Sequence, residues 1–125
     1  RLAHAMRHPG LTIALGTDCV VFDPRWLIGL DREAADVFIG PSDDGGYWAI
    51  ALDGSKLDLA AAAFSDMPWS TPALHEATQR RLESAGLLIR TLPDAYDVDD
   101  ISDLRRLLRD PCCPEALRKR VGPLL

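Results

Sequence analysis

Residues 11–19 read LTIALGTDC. The stretch 11–16 is a mostly apolar run of strand length, the pattern of a strand covered on both faces. It ends in Gly16-Thr17-Asp18-Cys19, so a carboxylate stands directly beyond the strand's carboxyl end. Upstream, residues 1–8 read as the end of a helix stopped by Pro9 and Gly10. Downstream, Asp23-Pro24 is an N-cap and first-turn pair, and Leu27, Leu30 and Ala34 line one face of the helix it predicts. Residues 36–40 (DVFIG) and 47–52 (YWAIAL) predict a second and a third short buried strand. Between them lies Pro41-Ser42-Asp43-Asp44-Gly45-Gly46, a loop of strong turn chemistry.

The periodic pattern continues to the end of the chain. Residues 60–63 predict a short helix. Thr71-Pro72 opens a longer one, with Leu74, Ala77, Leu82 and Ala85 inward and Gly86 at its end. Residues 87–92 predict a fourth strand. Asp100 caps a last helix, Asp103 completes a variant capping box, and Ile101, Leu104, Leu107 and Leu108 face inward. The chain beyond Asp110 is Pro-rich and predicted irregular as far as Glu115. Strands separated by helical patterns predict an α/β domain, Rossmann-like and three-layered (α/β/α), with a mostly parallel sheet. Ligands of such sheets bind outside the carboxyl ends of the strands.

A chain of 125 residues is one domain's worth, and 47% apolar with 26% charged residues is ordinary for a soluble globular protein. The longest purely apolar stretch, residues 59–64, is far below the roughly 20 residues of a membrane span. No charged-then-apolar signal segment opens the chain. These features exclude a membrane protein, a disordered chain and a collagen-like fibre. The net charge of −5 is uneven: residues 1–100 carry 8 basic and 16 acidic side chains, and the remainder 6 basic and 3 acidic. An acidic body argues against nucleic acid as a partner and suits a divalent cation. The basic tail reads either as a solvated helix face or as a phosphate-binding patch. Three cysteines, two of them adjacent at Cys112 and Cys113, make neither a disulfide framework nor a zinc site, so a reducing cytoplasm is expected. The chain opens at Arg1, which reads as a piece of something longer.

Four segments are candidates for chemistry. Asp18 lies where a magnesium ion and a substrate phosphate could meet, or it merely caps the turn. In Asp97-Val98-Asp99-Asp100, alternation puts Asp97 and Asp99 on one side of an extended segment, and two close carboxylates are costly without a cation or donors. Capping accounts for Asp100 and Asp103, and less well for Asp97 and Asp99. In Asp44-Gly45-Gly46-Tyr47, two glycines allow positive φ and close approach to a ligand, as they would in an ordinary hairpin turn. In Trp69-Ser70-Thr71-Pro72, capping covers the hydroxyls, and Trp69 is a core residue or a ligand platform. Cys19 reads as a small buried filler or a nucleophile. His4, His8 and His75 lack metal spacing, and neither phosphate-loop signatures nor a G-x-S-x-G elbow are present.

Taken in order, GTDC (16–19), GPSDDGGYW (40–48), WST (69–71) and DVDD (97–100) resemble the bacterial radical-SAM/selenodomain-associated transferases. That family has the glycosyltransferase-A, nucleotide-diphospho-sugar transferase fold and is related in fold to the guanylyltransferases of molybdenum cofactor and of phospholactate. The resemblance covers about residues 11–108. It implies that Asp18 and Asp99 are catalytic, binding a divalent cation (magnesium or manganese) together with Asp97. It also implies that Asp44, Gly45, Gly46 and Tyr47 face the acceptor or the donor's sugar, and that Trp69, Ser70 and Thr71 border the same cleft. The implied reaction is attack of a small-molecule acceptor on a nucleotide or nucleotide-sugar donor.

The chain departs from the family's pattern in three places. Val20 stands where the family usually has proline, and Asp100 where it has threonine. Nothing before Leu11 matches the family's opening strand and nucleotide-binding loop. The resemblance therefore implies that residues 1–110 are the carboxyl-terminal part of such a domain, lacking the nucleotide-binding strand and loop, with 111–125 a Pro-rich basic tail. The competing expectation is a non-catalytic remnant of the fold, an interaction or regulatory module whose exposed sheet edge is covered in a homodimer.

Overall fold

β2 (Val37–Pro41) and β3 (Tyr47–Asp53) form an antiparallel hairpin on which the remaining elements are built. The structure is a computed structural model describing residues 2–31, 33–61 and 64–125. In chain order the other elements are α1 (Leu2–Ala5), β1 (Leu11–Leu15), α2 (Leu57–Ala61), α3 (Leu74–Ser84), β4 (Ile89–Thr91), α4 (Ile101–Arg109) and α5 (Glu115–Val121). Residues 62–63 of the expected 60–63 helix lie outside the described residues.

The sheet order is β1-β3-β2-β4. β3 pairs antiparallel with both β1 and β2, and only β2 and β4 pair parallel. The expectation of a mostly parallel sheet is therefore corrected: the sheet is mixed, with two of its three pairings antiparallel. The reason is loop length. The connection 42–46 is far too short for a crossover, so the strands it joins must run in opposite directions. β1, β2 and β4 still point the same way, and their carboxyl ends share one edge of the sheet.

Alternation along the strands separates two cores. Val37, Ile39, Ile50 and Leu52 meet Met6, Ala60, Leu82 and Leu87 on the face covered by α1, α2 and α3. On the opposite face Phe38, Trp48, Ala49 and Ala51 meet Cys19, Phe22, Trp26, Leu27 and Leu30. That second face is covered by irregular chain, not by the helix expected after Asp23. Asp23 does cap, accepting from the Arg25 N–H at 2.9 Å, but only a 3-10 turn at Pro24–Trp26 follows. Gly29, at φ +85°, leaves helical space soon afterwards. The expected three-layer arrangement is not confirmed: α1, α2 and α3 cover one face, and a Trp- and Phe-rich loop covers the other, with α4 and α5 beside it.

A bulge shapes the hairpin. Gly40 pairs with Ala49 and Pro41 with Tyr47, so Trp48 is the extra residue and turns to the same face as Ala49. Trp48 is 1% exposed, stacks on Phe22 at 5.1 Å and donates from Nε1 to the Pro93 carbonyl at 3.0 Å. A third cluster, Tyr96, Leu107 and Cys113 with Val21, Val98 and Leu117, holds α4 and α5 beside this face. Helix α4 has the expected cap: Asp100 accepts from Ser102 and Asp103 N–H, and Asp103 accepts in turn from the Asp100 N–H. No helix of the described residues is long and apolar enough to cross a membrane.

Candidate functional site

Three segments leave the shared carboxyl edge of β1, β2 and β4 and meet beyond it. The β1 segment is held by Gly16, whose N–H donates to the Trp48 carbonyl at 2.8 Å, and Asp18 follows within two residues. Beyond β2, the loop closes on itself through Ser42 N–H to Gly46 O at 3.1 Å and Gly45 N–H to Ser42 O at 3.1 Å. The segment beyond β4 is stitched to this loop: Ala95 N–H donates to Pro41 O and Asp43 N–H to Ala95 O, at 3.1 and 3.2 Å. Val98 N–H then donates to Asp18 O at 3.1 Å, which ties the GTDC and DVDD motifs together.

A fourth segment completes the site. Gly45 has φ +89° and lies so close to Pro72 that an added Cβ would be 2.1 Å from the Pro72 carbonyl oxygen. His75 N–H donates to Gly45 O at 2.9 Å, so the glycine docks the loop onto the start of α3. Helix α3 begins at Leu74, slightly later than Thr71-Pro72 predicts, because Thr71 is occupied in the preceding turn, its hydroxyl donating to Pro68 O at 2.8 Å. Ser70 holds a left-handed φ of +59° in that turn.

The result is a cleft of about 450 Å³ lined by Asp18, Asp44, Ser70, Thr71, Pro72, Asp97 and Asp99. Residues up to 81 positions apart in sequence converge there, and none of the lining side chains is cationic. Asp97 carries the electrostatic consequence. Burial pushes its carboxyl above the usual range, the Ser42 hydrogen bond pulls it back, and Asp18, Asp44 and Asp99 push it up again. Ser42 Oγ donates to Asp97 Oδ2 at 2.6 Å, while Oδ1 is buried with no hydrogen-bond partner.

The remaining expected site residues are placed differently. Gly46 N–H donates to Asp44 Oδ1 at 2.8 Å, so it shapes the loop from within. Tyr47 packs against the helical-face core, its hydroxyl buried near Thr78, and burial raises its pKa. Trp69 turns away from the acidic cleft into a separate apolar cavity with Leu2, Ala3, Ala61 and Phe64. Alternation puts Tyr47, just before the bulge residue Trp48, on the face opposite the Trp48 ring. Cys19 is buried, and its thiol is pushed up to about 11 by that burial and then by Asp97, so it is a neutral filler at physiological pH.

Sequence reasoning passed over two residues that the structure ties to the site. Ser42 appears in the sequence only as a turn former, and its signal was its position as the first polar residue after a buried strand. Arg106 pairs with Asp43 and lies over the Tyr96 ring at 3.7 Å, linking α4 to the loop. Nothing local in the sequence marks that link.

The donor set is chemically suited to a hard divalent cation: it offers carboxylate oxygens, one of them buried and unpartnered. Among the described residues no group of three or more His, Cys, Asp or Glu side chains is arranged to hold a metal ion. The two observations are compatible for magnesium, which takes one or two carboxylates and fills its octahedron with water and substrate phosphate.

A family model described as an uncharacterized protein conserved in bacteria (DUF2064) matches residues 1–71, which include Asp18, the Asp44 loop and Ser70-Thr71. No curated protein matches the chain. Among solved structures the chain is similar to a protein from Desulfovibrio desulfuricans G20 provisionally described as a nucleotide-diphospho-sugar transferase. The TM-score is 0.82 at 24% identity, over 98% of this chain and 58% of that one. The likeness is therefore one of fold, and this chain spans little more than half the neighbour's length.

Proposed function

The chain belongs to the DUF2064 family of uncharacterized proteins conserved in bacteria, and from that premise we propose that its acidic cleft is the acceptor-side and metal-binding part of a transferase acting on a nucleotide-activated donor. The observation that carries this is the convergence of Asp18, Asp44, Asp97 and Asp99 with Ser70 and Thr71 in one cleft at the carboxyl ends of the strands. A cleft whose charged lining residues are all aspartates repels a phosphorylated donor unless a cation intervenes. Asp18, Asp97 and Asp99 are the candidate ligands for magnesium or manganese, of which the ion would take one or two directly and reach the rest through water. The cation would supply positive charge against the negative charge gathering on the leaving phosphate.

The chain's own groups do the rest. Asp44, fixed by the Gly46 N–H, presents a carboxylate to hydroxyls of a sugar or small-molecule acceptor. Ser70 and Thr71 border the opposite lip, and Gly45 keeps the loop docked beside them. The group transferred would be glycosyl or nucleotidyl. The kinship to the radical-SAM/selenodomain-associated transferases rests on the order and spacing of the four motifs. Three unpaired thiols, at Cys19, Cys112 and Cys113, accord with a cytoplasmic setting.

Replacing Asp18 or Asp99 by asparagine is expected to abolish manganese binding, read by the electron-spin resonance of the free ion, while the melting temperature stays close to the parent's. Unchanged manganese affinity in both variants would reject the proposal. A second function, as an interaction module, is favoured by β1, a strand paired on one side only, with Ile13 and Leu15 exposed at 37% and 44%. Self-association along that edge would bury both.

A further inference from the structure

We propose that Ser42 is a positioning residue that fixes Asp97 for cation binding. The inference rests on the metal reading of the cleft and deepens it. Ser42 is 6% exposed, and its backbone is held on both sides: its N–H by Gly46 O and its carbonyl by Gly45 N–H. The residue also forms a parallel bridge with Ala95, two positions before Asp97. A side chain mounted on so constrained a backbone has little freedom, and its hydroxyl donates to Asp97 Oδ2 at 2.6 Å.

From the other side, Val98 N–H is anchored on Asp18 O at 3.1 Å. Asp97 is therefore clamped between the loop after β2 and the segment after β1. With Oδ2 engaged by Ser42, Oδ1 is left as the buried oxygen with no hydrogen-bond partner in a cleft shared with Asp18, Asp44 and Asp99. A buried carboxylate oxygen without a donor is costly, and a cation offsets that cost. Hydrogen bonds from outside the ligand set orient a ligating carboxylate, and losing one typically weakens metal affinity about 10- to 100-fold.

The test compares manganese dissociation constants of the parent, Ser42→Ala and Ser42→Thr, read by electron-spin resonance, with metal-free melts of each. Ser42→Ala is expected to bind about 10-fold or more weaker, Ser42→Thr to restore affinity to near the parent's, and the metal-free melts to agree. Parent-like affinity in Ser42→Ala, with a parent that does bind, overturns the role of Ser42 and leaves the metal reading intact. A parent that does not bind manganese overturns both. If Ser42→Ala melts without cooperativity, Ser42→Val, which matches the threonine's shape but has no donor, is read in its place by the same criteria.

Discussion

Gly45 and Asp100 show how much can hang on one backbone conformation or one carboxylate. At Gly45, φ of +89° disfavours any side chain, and the Pro72 carbonyl occupies the space a Cβ would need. Gly45→Ala is expected to destabilise the fold by more than about 1 kcal/mol, since both strain and clash act in the native state. A denaturant titration showing parent-like stability would mean the loop undocks freely from α3. Asp100 offers a pH-dependent counterpart. Hydrogen bonds from the Asp103 and then the Ser102 backbone hold its carboxyl below the ordinary value. Such a group adds stability while the unfolded chain's carboxyls are ionised, and that stability is lost as pH falls through the lowered native value. Asn caps a helix about as well as Asp but does not titrate. The stability difference between parent and Asp100→Asn is therefore expected to move against the parent as pH falls from neutral to about 3. Parallel curves across that range would contradict it.

Among the elements, α4 couples the third core to the cleft. Leu107 is 1% exposed between Tyr96 and Cys113, and one residue earlier Arg106 reaches the Asp43 loop while lying over Tyr96. Leu107→Ala is expected to cost about 2–5 kcal/mol, the range for emptying a well-packed leucine site. A cost below about 1 kcal/mol would mean that this cluster can collapse around the cavity. Helix α4 was legible in the sequence because its capping box and apolar spacing are local, although Ile101, expected inward, is 48% exposed. The helix expected after Asp23 was not, although its cap was read correctly. Phe22, Trp26, Leu27 and Leu30 serve the core beneath Phe38 and Trp48, and burying them there outweighs the local preference for helix. Trp48 itself depends on a bulge, which local alternation does not reveal. Gly40 is the trace it leaves: a Cβ there would meet the Trp48 ring at 2.4 Å.

For the molecule as a whole, the edge at β1, unpaired on its outer side among the described residues, is the most consequential feature. β1 lies at the end of the order β1-β3-β2-β4, and Ile13 stands opposite Ala51 on the Trp48 face. Its residues, LTIAL, carry no charge, proline or bulge, the devices that usually protect an edge. Concentration-dependent association is expected in sedimentation, with Ile13→Lys monomeric and equally stable. A parent that stays monomeric at high concentration would count against the interaction-module function and leave the cleft untouched.

What the sequence determined by itself were the features held in a few neighbouring residues: four strand positions, the cap of α4, the glycine stops and the acidic motifs. Their spacing also pointed to the fold that the structural likeness supports. Tertiary structure alone decided the rest. The direction of β3 within the sheet, the covering of the second face by irregular chain, and the diversion of Tyr47 and Trp69 from the cleft all follow from what packs against what. The same holds for the bond from Ser42 to Asp97, 55 positions apart. Local propensity is a preference worth tenths of a kcal/mol per residue, whereas burying one large apolar side chain contributes roughly 1.5–3 kcal/mol. Contacts of the second kind are set by distant partners, which no window along the chain contains.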